Sequence, residues 1–262
     1  METIKFPTPE VREEQEKKEL KFPTPEEIKE VMKGEKFCDK LGGVISIISS
    51  KGKEPGFVAS QSLDNLELCF SEVEEGSDHN APDLYTPFGH IKILDLHGHP
   101  TVKELGFVSP TPIDVSDDEP DLGDRTQEAI DYLKGRNSNM SSAEFREEMR
   151  RGRKEFHEKF GQVLEDNKET LKRWTVYDAV VGITNGTVDV LIYQAPLPGK
   201  EREREEMKKR LSKGGLRYGD KGEIIKGNFE TQEDVLNALK IACPFVALLK
   251  YKKEGEHYRM IE

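Results

Sequence analysis

A chain of 262 residues, 34% apolar and 35% charged, has the length of one large domain, or of one domain with appendages, since single cores stop growing at roughly 250 to 300 residues. Its formal charge of −11 argues against nucleic acid or an anionic membrane surface as a main partner, because counterion release and surface attraction both reward basic proteins. No apolar run approaches the roughly 20 residues of a bilayer span and the N-terminus lacks a secretory stretch, so the expected location is the cytoplasm.

The elements follow in chain order. Residues 1–23 read as a flexible, mostly charged arm, in which the hexapeptide KFPTPE appears at Lys5–Glu10 and again at Lys21–Glu26. In the second copy Thr24 is an N-cap, Pro25 the first helical residue and Glu27 the partner of a capping box, which predicts a helix ending near Gly34. Val44–Ile48, a β-branched run after Gly42-Gly43, predicts a buried strand; Gly56–Ala59, Leu66–Phe70 and Ile91–Leu96 predict three more. From Arg125 to Arg173 the pattern turns helical, with Ser141 and Glu144 as a capping box and Phe145, Met149, Phe156 and Phe160 along one stripe. Asn185-Gly186 between two apolar runs is a type I′ hairpin signal. Lys200–Arg210 reads as a solvated helix or linker, Thr231 with Asp234 starts a last helix, and Pro244 separates it from a strand at Phe245–Leu249. The expected organisation is a mixed α/β domain over 24–198, interrupted by a helical insertion at 124–173 and followed by a charged linker and helix–strand extension at 199–262.

Phosphate-binding glycine loops, the G-x-S-x-G elbow and H-E-x-x-H are all absent from the sequence. The three dispersed cysteines, Cys38, Cys69 and Cys243, make no C-x-x-C pair and are read as small apolar residues. Chemistry concentrates in Leu94-Asp95-Leu96-His97-Gly98-His99-Pro100. Side chains alternate across a strand, so His97 and His99 share a face with a rise of roughly 6.6 Å between them and can converge on one ion. A loop then leads to Ser109-Pro110-Thr111-Pro112-Ile113-Asp114. Asp114 is the candidate third ligand, and Thr111 offers a hydroxyl to the same site. Two neutral imidazoles and one carboxylate leave zinc a net charge of +1 and a free fourth position, the pattern of a catalytic rather than a structural site.

This constellation resembles that of the JAB/MPN metallopeptidases, whose zinc motif reads HxHP, a loop, then P-S-x-x-D. His97-Gly98-His99-Pro100 matches the first half, and Pro110-Thr111-Pro112-Ile113-Asp114 the second, with Thr for Ser and eleven residues between His99 and Thr111 where seven are usual. The family's general-base Glu precedes its first strand in an E-x-x-G-L pattern; Asp39-Lys40-Leu41-Gly42-Gly43 occupies that place before the expected strand at Val44. The resemblance implies a cytidine-deaminase-like mixed sheet flanked by helices. It further implies zinc on His97, His99 and Asp114, with Thr111 at the oxyanion and Asp39 as catalytic base, Glu35 and Glu67 being the other candidate bases. The implied activity is zinc-dependent hydrolysis of peptide or isopeptide bonds, including those joining a ubiquitin-like protein to lysine. Two other readings remain: a catalytically inactive interaction module of the same fold, and a binuclear amidohydrolase or PHP-type hydrolase suggested by Asp95-x-His97-x-His99.

Overall fold

A computed structural model describes residues 19–77, 81–100, 106–111, 120–137, 139–184, 186–218 and 224–261. Helix α1 (Pro25–Lys33) begins as its sequence dictates: the Thr24 hydroxyl accepts from the Glu27 N–H, and the Glu27 carboxylate accepts from the Thr24 N–H at 2.8 Å. Ile28 and Met32 are its buried stripe, and Gly34 closes it.

The next element overturns an expectation. Val44–Ile48 is not a strand but the second half of helix α2 (Glu35–Lys51), whose buried residues are Phe37, Cys38, Leu41, Val44, Ile45 and Ile48. Those positions recur at three and four, the helical period, and one continuous apolar stripe outweighs the few tenths of a kcal/mol by which Val and Ile disfavour a helix. Gly42 and Gly43 are helical too: a Cβ on Gly42 would lie 3.7 Å from the Tyr258 ring and one on Gly43 3.2 Å from the Val73 side chain.

Strands β1 (Pro55–Ser62), β2 (Leu68–Phe70), β3 (Glu74–Glu75) and β4 (His90–Gly98) follow. Helices α3 (Gln127–Leu133), α4 (Ser142–Asp166) and α5 (Lys168–Leu171) fall inside the expected insertion and carry the chain to the hairpin of β5 (Tyr177–Thr184) and β6 (Thr187–Gln194). Helix α6 (Glu201–Gly214), the short pair β7 (Leu216–Tyr218) and β8 (Ile224–Lys226), helix α7 (Gln232–Leu239) and strands β9 (Val246–Glu254) and β10 (His257–Met260) complete the chain. The main sheet runs β10-β9-β6-β5-β4-β1-β2, with β3 also on β1. β4 and β5 are parallel, and the helical insertion is their crossover.

Helices cover both faces of this mixed sheet. On one face Phe37, Leu41 and Ile48 of α2 and Phe156 and Phe160 of α4 pack with Leu94, Leu96, Ala179 and Val181. On the other, Met207 and Leu211 of α6 and Val235, Ala238 and Leu239 of α7 pack with Val180, Leu191 and Tyr193. Residues from 199 onward, expected as an extension, therefore supply two strands of the main sheet and cover one of its faces. The arm also ends sooner than expected. Leu20 is buried and donates its N–H to Asn167 Oδ1 at 2.8 Å, while Phe22 stacks on Tyr177 and meets Trp174 edge-on, both at 5.2 Å. Residues 1–18, including the first KFPTPE copy, lie outside the described residues.

The insertion is anchored away from the histidines. Phe156 and Phe160 pack on Phe88, just before the start of β4, and the eight rises of roughly 3.3 Å from His90 to Gly98 put the histidine end about 26 Å off. No helix among the described residues is long and apolar enough to cross a membrane.

Candidate metal centre

The sheet places the two histidines by alternation. A Cβ on Gly98 would lie 2.5 Å from Ile48 Cδ1 and 3.2 Å from Pro55 Cδ, so this position faces α2. His97 and His99 consequently point to the opposite face. They are 6% and 4% exposed, with ring centroids 4.9 Å apart, and the His99 N–H is tied to the Val181 carbonyl of β5 at 2.8 Å. The convergence expected from spacing is thus present in the side chains. Gly98→Ala is expected to destabilise the fold by about 1–3 kcal/mol through overpacking against Ile48, read as a fall in the urea midpoint.

Beside them runs β1, antiparallel to β4, with Gly56 opposite His97. A Cβ on Gly56 would lie 2.7 Å from the Leu96 carbonyl and 3.3 Å from His97 Cβ, so glycine is what lets the two strands approach here. Pro55 shares the Gly98 face, which puts Glu54 and Gly56 on the histidine face. The ladder extends through Glu54: its N–H donates to the Ser77 carbonyl, and its carbonyl accepts from the Gly76 N–H, both at 2.9 Å. Glu54 is only 4% exposed. Glu54 is thus a deeply buried carboxylate on the histidine face, a candidate functional residue that sequence reasoning missed.

Asp39 is not in that place. It lies in the second turn of α2, nine residues before Ile48, hence roughly 13 Å along the helix axis from the side chain that covers Gly98. It is exposed, and its carboxylate pairs with His257 Nδ1 at 3.2 Å in a surface cleft of about 450 Å³ between α2 and the β9–β10 hairpin. Glu35 and Glu67 are exposed as well. The difference has one physical source: Val44–Ile48 is helical, so the first strand is β1 and the acid before that strand is Glu54. The helical period of Phe37, Leu41, Val44 and Ile48 is the sequence signal for it.

Thr111 is partly buried at the end of a segment in which Phe107, Val108 and Ser109 are buried. Asp114 and the acidic run Asp117-Asp118-Glu119 lie outside the described residues. Among the described residues no group of three or more His, Cys, Asp or Glu converges as a metal cage, so Glu54 does not join the two imidazoles as a third ligand. The donors present nonetheless fit zinc: two adjoining buried imidazoles make an N-donor pair to which one further ligand can be added.

Behind the histidines lies an ion cluster built on the buried Lys92, with two partly exposed carboxylates. The β1–β4 register shifts by one residue between Ala59 and Ser60, passing over Ile93, and this brings Lys92 and Asp95 to one face although they are three apart. Lys92 Nζ meets Asp95 Oδ2 at 3.0 Å and Asp121 Oδ2 at 2.9 Å, and donates to the Leu84 carbonyl at 3.2 Å. Burial alone would lower the Lys92 pKa, but the two carboxylates outweigh it and hold the ammonium above the ordinary lysine range. Asp95 thereby anchors the strand two residues before His97.

No family model, curated protein or solved structure matches the chain.

Proposed function

We propose that the protein is a zinc-dependent hydrolase of peptide or isopeptide bonds, working as the JAB/MPN metallopeptidases do, with Glu54 rather than Asp39 as its base. The observation that carries this reading is the adjacency of His97 and His99, ring centroids 4.9 Å apart and almost wholly buried, with the buried Glu54 on the same face. His97 and His99, with Asp114 from the following loop, would hold the metal. Zinc bound there supplies a Lewis acid that polarises a scissile carbonyl and lowers the pKa of water to about 7.

The chain's own groups do the rest. Glu54 takes a proton from the attacking water and delivers it to the leaving amine, the two half-tasks of one general acid–base group. Thr111 donates its hydroxyl to the oxyanion. The acceptor class is a peptide amide or the isopeptide bond of a lysine, including one that carries a ubiquitin-like protein. Cys243 and Cys38 are poor nucleophiles: burial and then the nearby Asp178 push the Cys243 thiol up to about 12, and burial raises Cys38 as well.

The buried carboxylate on the histidine face also weakens the inactive-module reading, which the substitution at position 39 and the longer loop favour. The amidohydrolase reading needs more histidines at the same site, yet His157 sits on α4 and His257 on the edge strand β10 beside Asp39. Metal analysis of the full-length chain tests the proposal. About one zinc per chain is expected in the wild type and a small fraction of that in His97→Ala and His99→Ala. A wild-type protein that takes up no zinc from buffered solution, or two ions per chain, overturns it.

A further inference from the structure

The histidine face changes character toward the carboxyl ends of the parallel strands β4 and β5. Strand register sets His97 level with Val180, Leu191 and Leu248, an apolar row packed under α6 and α7. The next row on that face is polar. His99 follows the Gly98–Val181 pair and so stands level with Gly182; Gly182 pairs with Asp189 of β6, and Asp189 with Lys250 of β9. Asp189 is only 7% exposed. Its Oδ2 accepts from the Thr184 hydroxyl, and its Oδ1 lies 3.3 Å from the Thr187 hydroxyl, which also donates to the Thr184 carbonyl at 2.9 Å. Among the described residues no lysine, arginine or histidine forms an ion pair with it.

We propose that Asp189 is a specificity-determining residue that receives a cationic group of the substrate, the ammonium of a lysine or the guanidinium of an arginine next to the bond cleaved at the histidines. The identity of that bond rests on the zinc reading above; the cation site does not need the metal. Buried charges are as a rule paired, so a carboxylate held by hydroxyls alone on a ligand-binding face is matched by a cation that arrives with the ligand. Ligands of α/β sheets gather outside the carboxyl ends of parallel strands, where this row lies. Two strand spacings of roughly 4.8 Å put the backbones of His99 and Asp189 about 10 Å apart, and Gly182 brings no side chain between them. A lysine laid along the row carries its four-carbon stem past Gly182 and its ammonium to the carboxylate. An acidic side chain there would face Asp189 with like charge, and an apolar one would leave it unpaired.

The test titrates the full-length chain, with zinc and after removal of metal by a chelator, against Nα-acetyl-lysine methylamide and its uncharged counterpart Nα-acetyl-norleucine methylamide, followed by NMR. The lysine probe is expected to bind the wild type roughly ten- to a hundredfold more tightly in either metal state, the range for a hydrogen bond to a charged group. It should also shift the amide signals of Gly182 and Asp189, a reading that needs no variant. Asp189→Asn keeps the shape of the side chain and its bond from Thr184, and should bring the two probes within threefold of one another. In the zinc-loaded protein the same variant should lower at least tenfold the ratio of kcat/KM for peptides carrying lysine or norleucine beside the cleaved bond. Equal affinity of the wild type for both probes, or a lysine preference that Asp189→Asn leaves intact, overturns the inference. A wild type that prefers the lysine probe yet takes up no zinc upholds the cation site and overturns the zinc reading, so the two failures are told apart.

Discussion

Glu54→Gln is expected to lower kcat by roughly 10² to 10⁴ while zinc content stays at the wild-type level, because the amide keeps the shape of the carboxylate and loses only its capacity to carry a proton. Asp39→Ala, made alongside, is expected to stay within twofold of wild type, since that side chain is more than half exposed and bonded to His257. Assays on fluorogenic peptides and on a lysine isopeptide, with metal content measured on the same samples, give the comparison. The contrast follows from position. Glu54 lies two residues before the glycine paired with His97, whereas Asp39 is more than two helical turns away from that end of the sheet. Equal loss in both variants, or none in Glu54→Gln, would remove Glu54 from the mechanism.

Lys92→Met should produce the largest fall in stability, about 3–5 kcal/mol, because it leaves two carboxylates facing one another with their shared cation gone. Arg125 approaches Asp121 only to 3.9 Å, so it offsets little of the charge left behind. Against a total of 5–15 kcal/mol for a folded domain this is a large fraction. Adding Asp95→Asn to Lys92→Met should recover part of the loss, which separates the charge effect from the loss of packing by the lysine stem. The pH dependence has a definite sign. The folded pKa lies above the unfolded lysine value of about 10.4, so the ion cluster's contribution is complete below that value and declines as pH rises through the higher folded one. The gap between wild type and Lys92→Met, followed by urea unfolding, should stay flat from about pH 6 to 9 and narrow above 10.4.

Much of the architecture was readable because it was written in local rules. The capping boxes at Thr24, Ser141 and Thr231 form as their spacing requires, each with the side chain three residues on returning the bond. The hairpin of β5 and β6 pairs Thr184 with Thr187 around Gly186, whose φ of 82° is the left-handed conformation the turn signal asks for. Alternation along β4 was enough to set His97 and His99 side by side. A short window is ambiguous here: four β-branched residues within Val44–Ile48 satisfy a strand, and only the twelve-residue span from Phe37 to Ile48 shows the helix.

Sequence alone thus determined that His97 and His99 share one face of a strand, where the capped helices begin, and that a mixed α/β fold results, because each of these depends on neighbours within one or two turns. The tertiary structure decided which buried carboxylate shares a sheet face with the imidazoles and what holds the loop that follows them. Glu54 and His97 are 43 residues apart, and Val108 and Gln232 are 124 apart. The first pair comes to one face through strand register and the second into contact through helix packing, and no local pattern encodes either.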